Sequence, residues 1–315
     1  MDLSHEVDAL PAFVALDSYT VLTGRRHGTS IQLDETYFTG QLRALQSFDI
    51  GSAVDQRAEI LENSRRTYAG IDVELDSLTE ESLWDASTKF RRKLQRVPEV
   101  SYLIQNFPGH CFVVPEWLRT GKRLHYGARI YLFGDENPPD PKDILRENIE
   151  AIVTESFETF ERYQGQLHGY PDCCIEFYQN RSTDAPSPEW RAVEPFSDRI
   201  RSDVLGQGLD LSMDDIFSTA PGQEEISGFF TREFFPEPGC ETAKTRGQTI
   251  YEDLESAMPE DLVRDYFRLN FGIDYLVAQA VHQSGDRRPD PGEFGREHLL
   301  FYLPLREVLT MPRYA

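Results

Sequence analysis

Ala128-Arg129-Ile130-Tyr131-Leu132-Phe133, then Asn137-Pro138-Pro139-Asp140-Pro141, then Lys142 to Gln164 follow one another near the middle of the chain, and their order decides the fold class. The first run is short, apolar and rich in aromatic and β-branched residues, which predicts a strand. The second holds three prolines in five residues, which removes backbone donors and turns the preceding residues away from helix. The third predicts one long helix, with Ile144, Ile149, Ile152, Val153, Phe157 and Phe160 as its buried stripe and Gly165 at its end. Strand signals lie before the proline cluster and helical signals after it. The expectation is a mainly α fold with a small β component (α+β), the small sheet in the N-terminal half and a helical C-terminal half. The boundary is expected at the prolines, between an N-terminal α+β region (1–138) and a helical region (139–315) carrying the cysteine motif.

Working outward toward the N-terminus, Cys111-Phe112-Val113-Val114 predicts a second strand, and Tyr19–Leu22, ending at Gly24, another. Residues 36–68 read as two helices. Leu42, Leu45 and Phe48, then Val54, Ala58 and Leu61, fall at helical spacing on either side of Gly51-Ser52. Ser77-Leu78-Thr79-Glu80 has the spacing of a capping box and opens a helix that Pro98 ends. Toward the C-terminus, Asp172 to Asn180 predicts a helix, followed by a loose stretch over Ser182–Pro195 and short helices through 196–235. Pro236-Glu237-Pro238-Gly239 is a turn. Helices then start near Cys240 and at Pro259, and two more cover Ile273–Ser284 and Phe294–Leu309.

Charge narrows the setting. Lys+Arg number 32 against 54 Asp+Glu, a formal net charge of -22. The acids are spread along the chain rather than gathered in a tail, which reads as a folded acidic surface. Lysine occurs only at Lys89, Lys93, Lys122, Lys142 and Lys244. Such a surface resembles those of proteins from salt-in halophilic archaea, where molar salt shrinks the screening length to about 3 Å and self-repulsion costs little. The same balance argues against non-specific nucleic-acid binding, which needs net positive surface. There is no signal-peptide pattern and no apolar window of spanning length, and four cysteines are too few for a disulfide framework. The expectation is a cytoplasmic protein with reduced thiols and no membrane partner.

The chemically loaded segment is His168-Gly169-Tyr170-Pro171-Asp172-Cys173-Cys174. Gly169 and Pro171 make a turn into a helix, Asp172 sits where a cap belongs, and the two cysteines fall in the first turn. There the unpaired N–H groups and the helix dipole favour thiolate, so their pKa values are expected to fall. His168 is close enough in sequence to fold back as a ligand or proton shuttle. The competing reading is packing. Cysteine is among the most buried residues, and Ile175 and Phe177 give this helix an apolar side.

The run HGYPDCCIEFY resembles the Gly-Tyr-Pro-x-Cys-Cys signature of a family of archaeal and bacterial proteins known as a domain of unknown function. Phe235-Pro236-Glu237-Pro238-Gly239-Cys240-Glu241-Thr242-Ala243 is similar to that family's second element, a Pro- and Cys-rich helix start, but has one cysteine where a pair is expected. The resemblance covers about residues 165–250. It implies that Cys173, Cys174 and Cys240 share a site, it implies no reaction, and the single Cys240 counts against a four-thiolate cluster.

No paired Cys-x2-Cys spacing occurs, so a metal site would be built from Cys173, Cys174, Cys240 and His168, holding zinc or an iron–sulfur cluster. Gly109-His110-Cys111-Phe112 is a second place to look, with a strand-packing role the plainer account. His125 is expected at the surface, His282 in the core or at a helix end, and His298 solvated. Arg91, Arg92 and Arg96 on one helix could form a nucleic-acid patch or simply a solvated face. The leading expectation is a thiol- or metal-dependent cytoplasmic enzyme with catalytic Cys173, Cys174 and His168. The alternative is a non-catalytic helical binding or regulatory protein with structural cysteines.

Overall fold

In a computed structural model, which describes residues 7–48, 53–120, 123–134, 137–180, 185–204, 222–285 and 295–314, two of the three expected strands, those holding Cys111–Val114 and Ala128–Phe133, join an unexpected one at Gly28–Leu33 in a three-stranded antiparallel sheet. The elements are α1 (Ala12–Leu22), β1 (Gly28–Leu33), α2 (Glu35–Ser47), α3 (Ala53–Ala69), α4 (Glu80–Leu94), α5 (Pro98–Asn106), β2 (His110–Thr120), β3 (Arg123–Phe133), α6 (Pro141–Thr154) and α7 (Glu158–Leu167). They continue with α8 (Asp172–Gln179), α9 (Pro188–Val204), α10 (Gln223–Ile226), α11 (Glu241–Glu255), α12 (Glu260–Ser284), α13 (Arg296–Leu300) and α14 (Leu305–Val308). The fold is α+β, with its sheet in the N-terminal half. No described helix is long and apolar enough to cross a membrane.

The chain divides into two compact units, one ending at Gly169 and one beginning at Tyr170. This differs from the division expected at residue 138. The prolines do break the chain, but α6 returns onto the sheet. The Trp117 N–H donates to Asn148 Oδ1 at 2.8 Å, and Asn148 Nδ2 donates back to the Trp117 carbonyl at 3.0 Å. A side-chain amide thus pairs with β2 much as a strand would. Trp117 Nε1 also donates to Ser87 Oγ of α4 at 2.7 Å. Val114, Trp117, Tyr131 and Phe133 of the sheet pack with Leu83, Ile144, Ile149, Ile152 and Leu167 in one buried cluster. Burying one such side chain contributes about 1.5–3 kcal/mol, enough in sum to hold α6 and α7 with the sheet.

In the N-terminal unit the sheet order is β1-β3-β2, with Ser30 opposite Tyr131 and Phe112 opposite Tyr131 on the other side. Several expectations need correction. Tyr19–Leu22 is the end of α1, not a strand. Residues 12–21 of that helix are all buried, and a helix buried all round has no polar side to reveal its period. The expected helix 142–164 is two helices. It breaks at Glu155, which has a left-handed φ of 56°; Val153 of the expected stripe is 41 % exposed. The cap of α4 is Thr79, whose side chain accepts from the Ser82 N–H at 3.3 Å, two residues later than the pattern suggested. Pro98 opens α5 rather than only closing the helix before it.

The C-terminal unit is built on α12, which spans the two helices expected on either side of Gly272. Phe271 meets Phe229 at 5.1 Å and Phe196 of α9 at 5.1 Å between ring centroids, and Trp190 of α9 stacks on His282 at 4.5 Å. The loose stretch expected to reach Pro195 is already α9 from Pro188. The single helix expected over 294–309 is two short ones, since Pro304 cannot donate within a helix and instead caps α14; its residue 294, and residues 205–221 of the short helices expected through 196–235, lie outside the described residues. His298 is fully buried, not solvated as expected, because α13 turns its His298–Leu300 side inward.

Candidate metal and thiol site

Two turns bring three cysteines together in the C-terminal unit. In the first, Pro171 caps α8 and its carbonyl accepts from the N–H groups of Cys174 and Ile175, both at 3.0 Å. Asp172, expected as the cap, is the first helical residue and makes no capping bond. In the second, the Cys240 N–H donates to the Glu237 carbonyl at 3.0 Å. Pro238 and Gly239 occupy the centre of that turn, Gly239 at a φ of +77°, the pattern of a type II turn. The turn delivers Cys240 to the N-cap of α11.

Aromatic packing joins the two. The Tyr170 ring lies 4.4 Å from Phe234, and Tyr178 of α8 stacks on Phe235 at 6.2 Å. The doublets Phe229-Phe230 and Phe234-Phe235 are buried, although they lie outside any helix. Beneath them Gly247 of α11 lets the helix approach the Ser227 carbonyl; a Cβ there would stand 1.7 Å from that oxygen. The segment 227–240 is thus pinned between α8 and α11.

Cys173 Sγ lies 3.0 Å from Cys240 Sγ, and the sulfurs of Cys173, Cys174 and Cys240 all lie within 4.8 Å of one another. Cys174 is buried, and Cys173 and Cys240 are half-buried, so the cluster opens on one side. Thiol acidity runs opposite to expectation. Burial raises the Cys173 thiol, and sharing a hydrogen bond with Cys240 raises it further. Burial likewise pushes Cys174 far up, against a backbone hydrogen bond at Glu237. Burial also opposes the Cys240 thiolate, but hydrogen bonds from Cys173, the Ala243 N–H, Cys174 and the Thr242 N–H together outweigh it, and Cys240 falls below the usual thiol range. The Cys173 hydrogen bond is the largest of these, and the N-cap position supplies the backbone share. There the free N–H groups of the first turn point at the side chain, whereas Cys173 and Cys174 sit one and two residues inside α8.

His168 belongs to the N-terminal unit. Its Nδ1 is 2.6 Å from the Gln164 carbonyl and its Nε2 is 2.7 Å from Ser30 Oγ. Neither nitrogen is spare for a metal in this arrangement. Cys111 also lies in that unit, on β2, where burial pushes its thiol up to about 12. Neighbouring His110 is exposed and bonds the Gly134 carbonyl at 3.2 Å. His125 is at the surface, as are Arg92 and Arg96. Among the described residues the one group of three or more His, Cys, Asp or Glu able to hold a metal is Cys173, Cys174 and Cys240. Comparison with known protein families, with curated proteins and with solved structures finds no match.

Proposed function

We propose that Cys173, Cys174 and Cys240 form a three-thiolate centre for one thiophilic metal ion, zinc or a single iron, and that the protein is a metal- or thiol-dependent enzyme acting there. The observation that carries this reading is the convergence of three sulfurs, from two turns 67 residues apart in sequence, within 4.8 Å. Around one zinc, at about 2.3 Å per Zn–S bond, tetrahedral sulfurs stand about 3.8 Å apart. A four-iron cluster binds each thiolate to a different iron and spreads the sulfurs further. The observed spacing therefore favours a single ion over a cluster.

Among the described residues the donor set is three sulfurs. The fourth coordination position is left to water or a substrate, on the side where Cys173 and Cys240 reach the surface. Bound there, a zinc ion supplies a Lewis acid and a water acidified toward neutral pH. The chain's own contribution is geometry and charge. Hydrogen bonds from Cys173 and from the Ala243 and Thr242 N–H groups favour the thiolate of Cys240, and the buried Cys174 anchors the site to the core.

A second reading is a non-catalytic helical binding or regulatory protein with packed cysteines. What favours it is Cys174 itself, 1 % exposed and far above the usual thiol range. Elemental analysis of protein purified anaerobically in molar KCl separates the two. The metal reading expects about one equivalent of zinc or iron, lost in the C173S/C174S and C240S variants, and thiolate-to-metal charge-transfer absorption after cobalt replacement. Metal-free wild-type protein, with all three thiols alkylating slowly when native, would leave the packing reading.

A further inference from the structure

The N-terminal unit holds a second arrangement with chemical potential, around Ser30. Ser30 lies on β1, an outer strand of the sheet, and its side chain shares a face with Arg129 of β3 and Glu116 of β2. His168, the C-cap residue of α7, reaches this face from above. Its Nδ1 is 2.6 Å from the Gln164 carbonyl. A carbonyl can only accept, so Nδ1 carries the proton. In the neutral ring Nε2 is then an acceptor, and the Ser30 hydroxyl 2.7 Å away must donate to it. Tautomer and direction follow from the chemistry of the partners.

The imidazole is held on several sides. Its ring leans on Tyr131 at 6.2 Å between centroids, and Arg26 Nε donates to the His168 carbonyl at 3.4 Å. Arg26 is itself fixed by Asp17 at 2.9 Å. On the other side of Ser30, Arg129 Nη1 donates to Oγ at 3.2 Å while its Nε donates to Glu116 at 3.2 Å. Ser30 is half-buried and the Arg129 side chain keeps 15 % of its exposure, so the hydroxyl sits at the rim of the core. A base-paired hydroxyl, an oriented base and an adjacent cation are the parts of an activated serine nucleophile.

We propose that Ser30 is such a nucleophile, with His168 as its general base, and that it takes an acyl group from an ester or thioester. Oγ bonds to the acyl carbon as its proton passes to His168 Nε2. The Arg129 guanidinium faces the negative charge that develops on the carbonyl oxygen. The alcohol or thiol departs with the electrons of the broken bond and takes the proton from Nε2, and water completes hydrolysis by the same route in reverse. The orienting group is a neutral carbonyl rather than a carboxylate, so turnover is expected to be slow.

The test is labelling of the intact folded protein with a fluorophosphonate, where Oγ–P forms, P–F breaks, fluoride leaves and His168 takes the proton. Peptide mapping should place the adduct on Ser30. S30A should abolish it, and H168N should slow labelling about 100-fold. In wild type the labelling rate should rise between pH 5 and 8, because the base must be neutral to take the proton. Natively folded wild-type protein that gives no adduct at Ser30, or a labelling rate at Ser30 that does not change between pH 5 and 8, would overturn the proposal and leave the Ser30–His168 bond as a structural tie.

Discussion

At the scale of single residues, position within a helix start matters more than membership of a motif. Cys240 accepts hydrogen bonds from Cys173 and from the Ala243 and Thr242 N–H groups that together outweigh its burial, while at Cys173 and Cys174 a single backbone hydrogen bond each does not. In metal-free reduced protein, Cys240 should therefore react first with iodoacetamide and the buried Cys174 last, as timed peptide mapping would show; equal rates would remove the N-cap argument. His298 offers a second residue-scale case. Burial, with the Arg232 charge beside it, lowers its pKa from 6.5 to about 3. Between those values the unfolded chain binds a proton that the native state refuses. His298 thus favours the fold above about pH 6.5, and its contribution falls as the pH drops toward 3. Buried Asp274 and Asp265, both raised by burial, act in the opposite sense at acid pH, so the comparison must be with a variant. Wild type should lose on the order of 1 kcal/mol per pH unit below 6.5 relative to H298L. Parallel stability curves for the two would show that the buried imidazole is not the cause. Nothing local signals this burial, since an Arg-Glu-His-Leu run looks solvated until α13 is placed.

At the scale of elements, several local signals were read correctly, but the caps expected at Ser77 and Asp172 and the features that depend on packing were not. The strands at 111–114 and 128–133, the helices on either side of Gly51-Ser52 and the turn before Cys240 all follow from short-range chemistry. α1 was missed because burial on every side erases its period. The break at Glu155 has no proline or glycine to announce it, and the domain division followed α6 back to the sheet through Asn148. The cysteine site was legible as three residues but not as a charge order, because the cap of α8 is Pro171 and not Asp172. Ser30 carried no signal, since its partner is 138 residues away. Two elements can be tested by substitution. G247A would push a Cβ into the Ser227 carbonyl and should cost roughly 1–3 kcal/mol by overpacking, with loss of metal in step if α11 positions Cys240; unchanged stability and metal content would mean that the approach is not needed. α3 and α5 are joined by Arg57 and Glu99, a buried pair that also engages Gln41 at 2.6 Å and Tyr37 at 2.5 Å. E99A leaves Arg57 buried without its anion and should cost about 3–5 kcal/mol in chemical denaturation. A loss under 1 kcal/mol would imply that water reaches the guanidinium.

At the scale of the whole molecule, charge is sorted by depth. The ion pairs held inside, Arg26 with Asp17, Arg57 with Glu99 and Arg129 with Glu116, all use arginine. Its planar fork can engage two partners at once and is less strongly hydrated than an ammonium. Salt scarcely reaches such pairs. The remaining acids lie mostly where solvent does, and the chain carries a net charge of -22. Repulsion among them opposes the compact state in dilute buffer, where the screening length is about 10 Å, and weakens as it shrinks to about 3 Å at 1 M salt. The midpoint of thermal unfolding should therefore climb between 0.1 and 1 M KCl and then level off. Further gain above 1 M would point to exclusion of salt from the surface instead of screening. Replacing exposed acids that lie outside helix first turns, such as Glu74, Asp76, Glu150 and Glu176, with their amides should raise the midpoint at low salt and leave it nearly unchanged at high salt, because the substituted charges matter only where they are felt. A midpoint that is flat from 0.1 to 2 M in wild type would show that the buried arginine pairs and the aromatic core hold the fold without help from screening, and the acidic surface would then need another explanation.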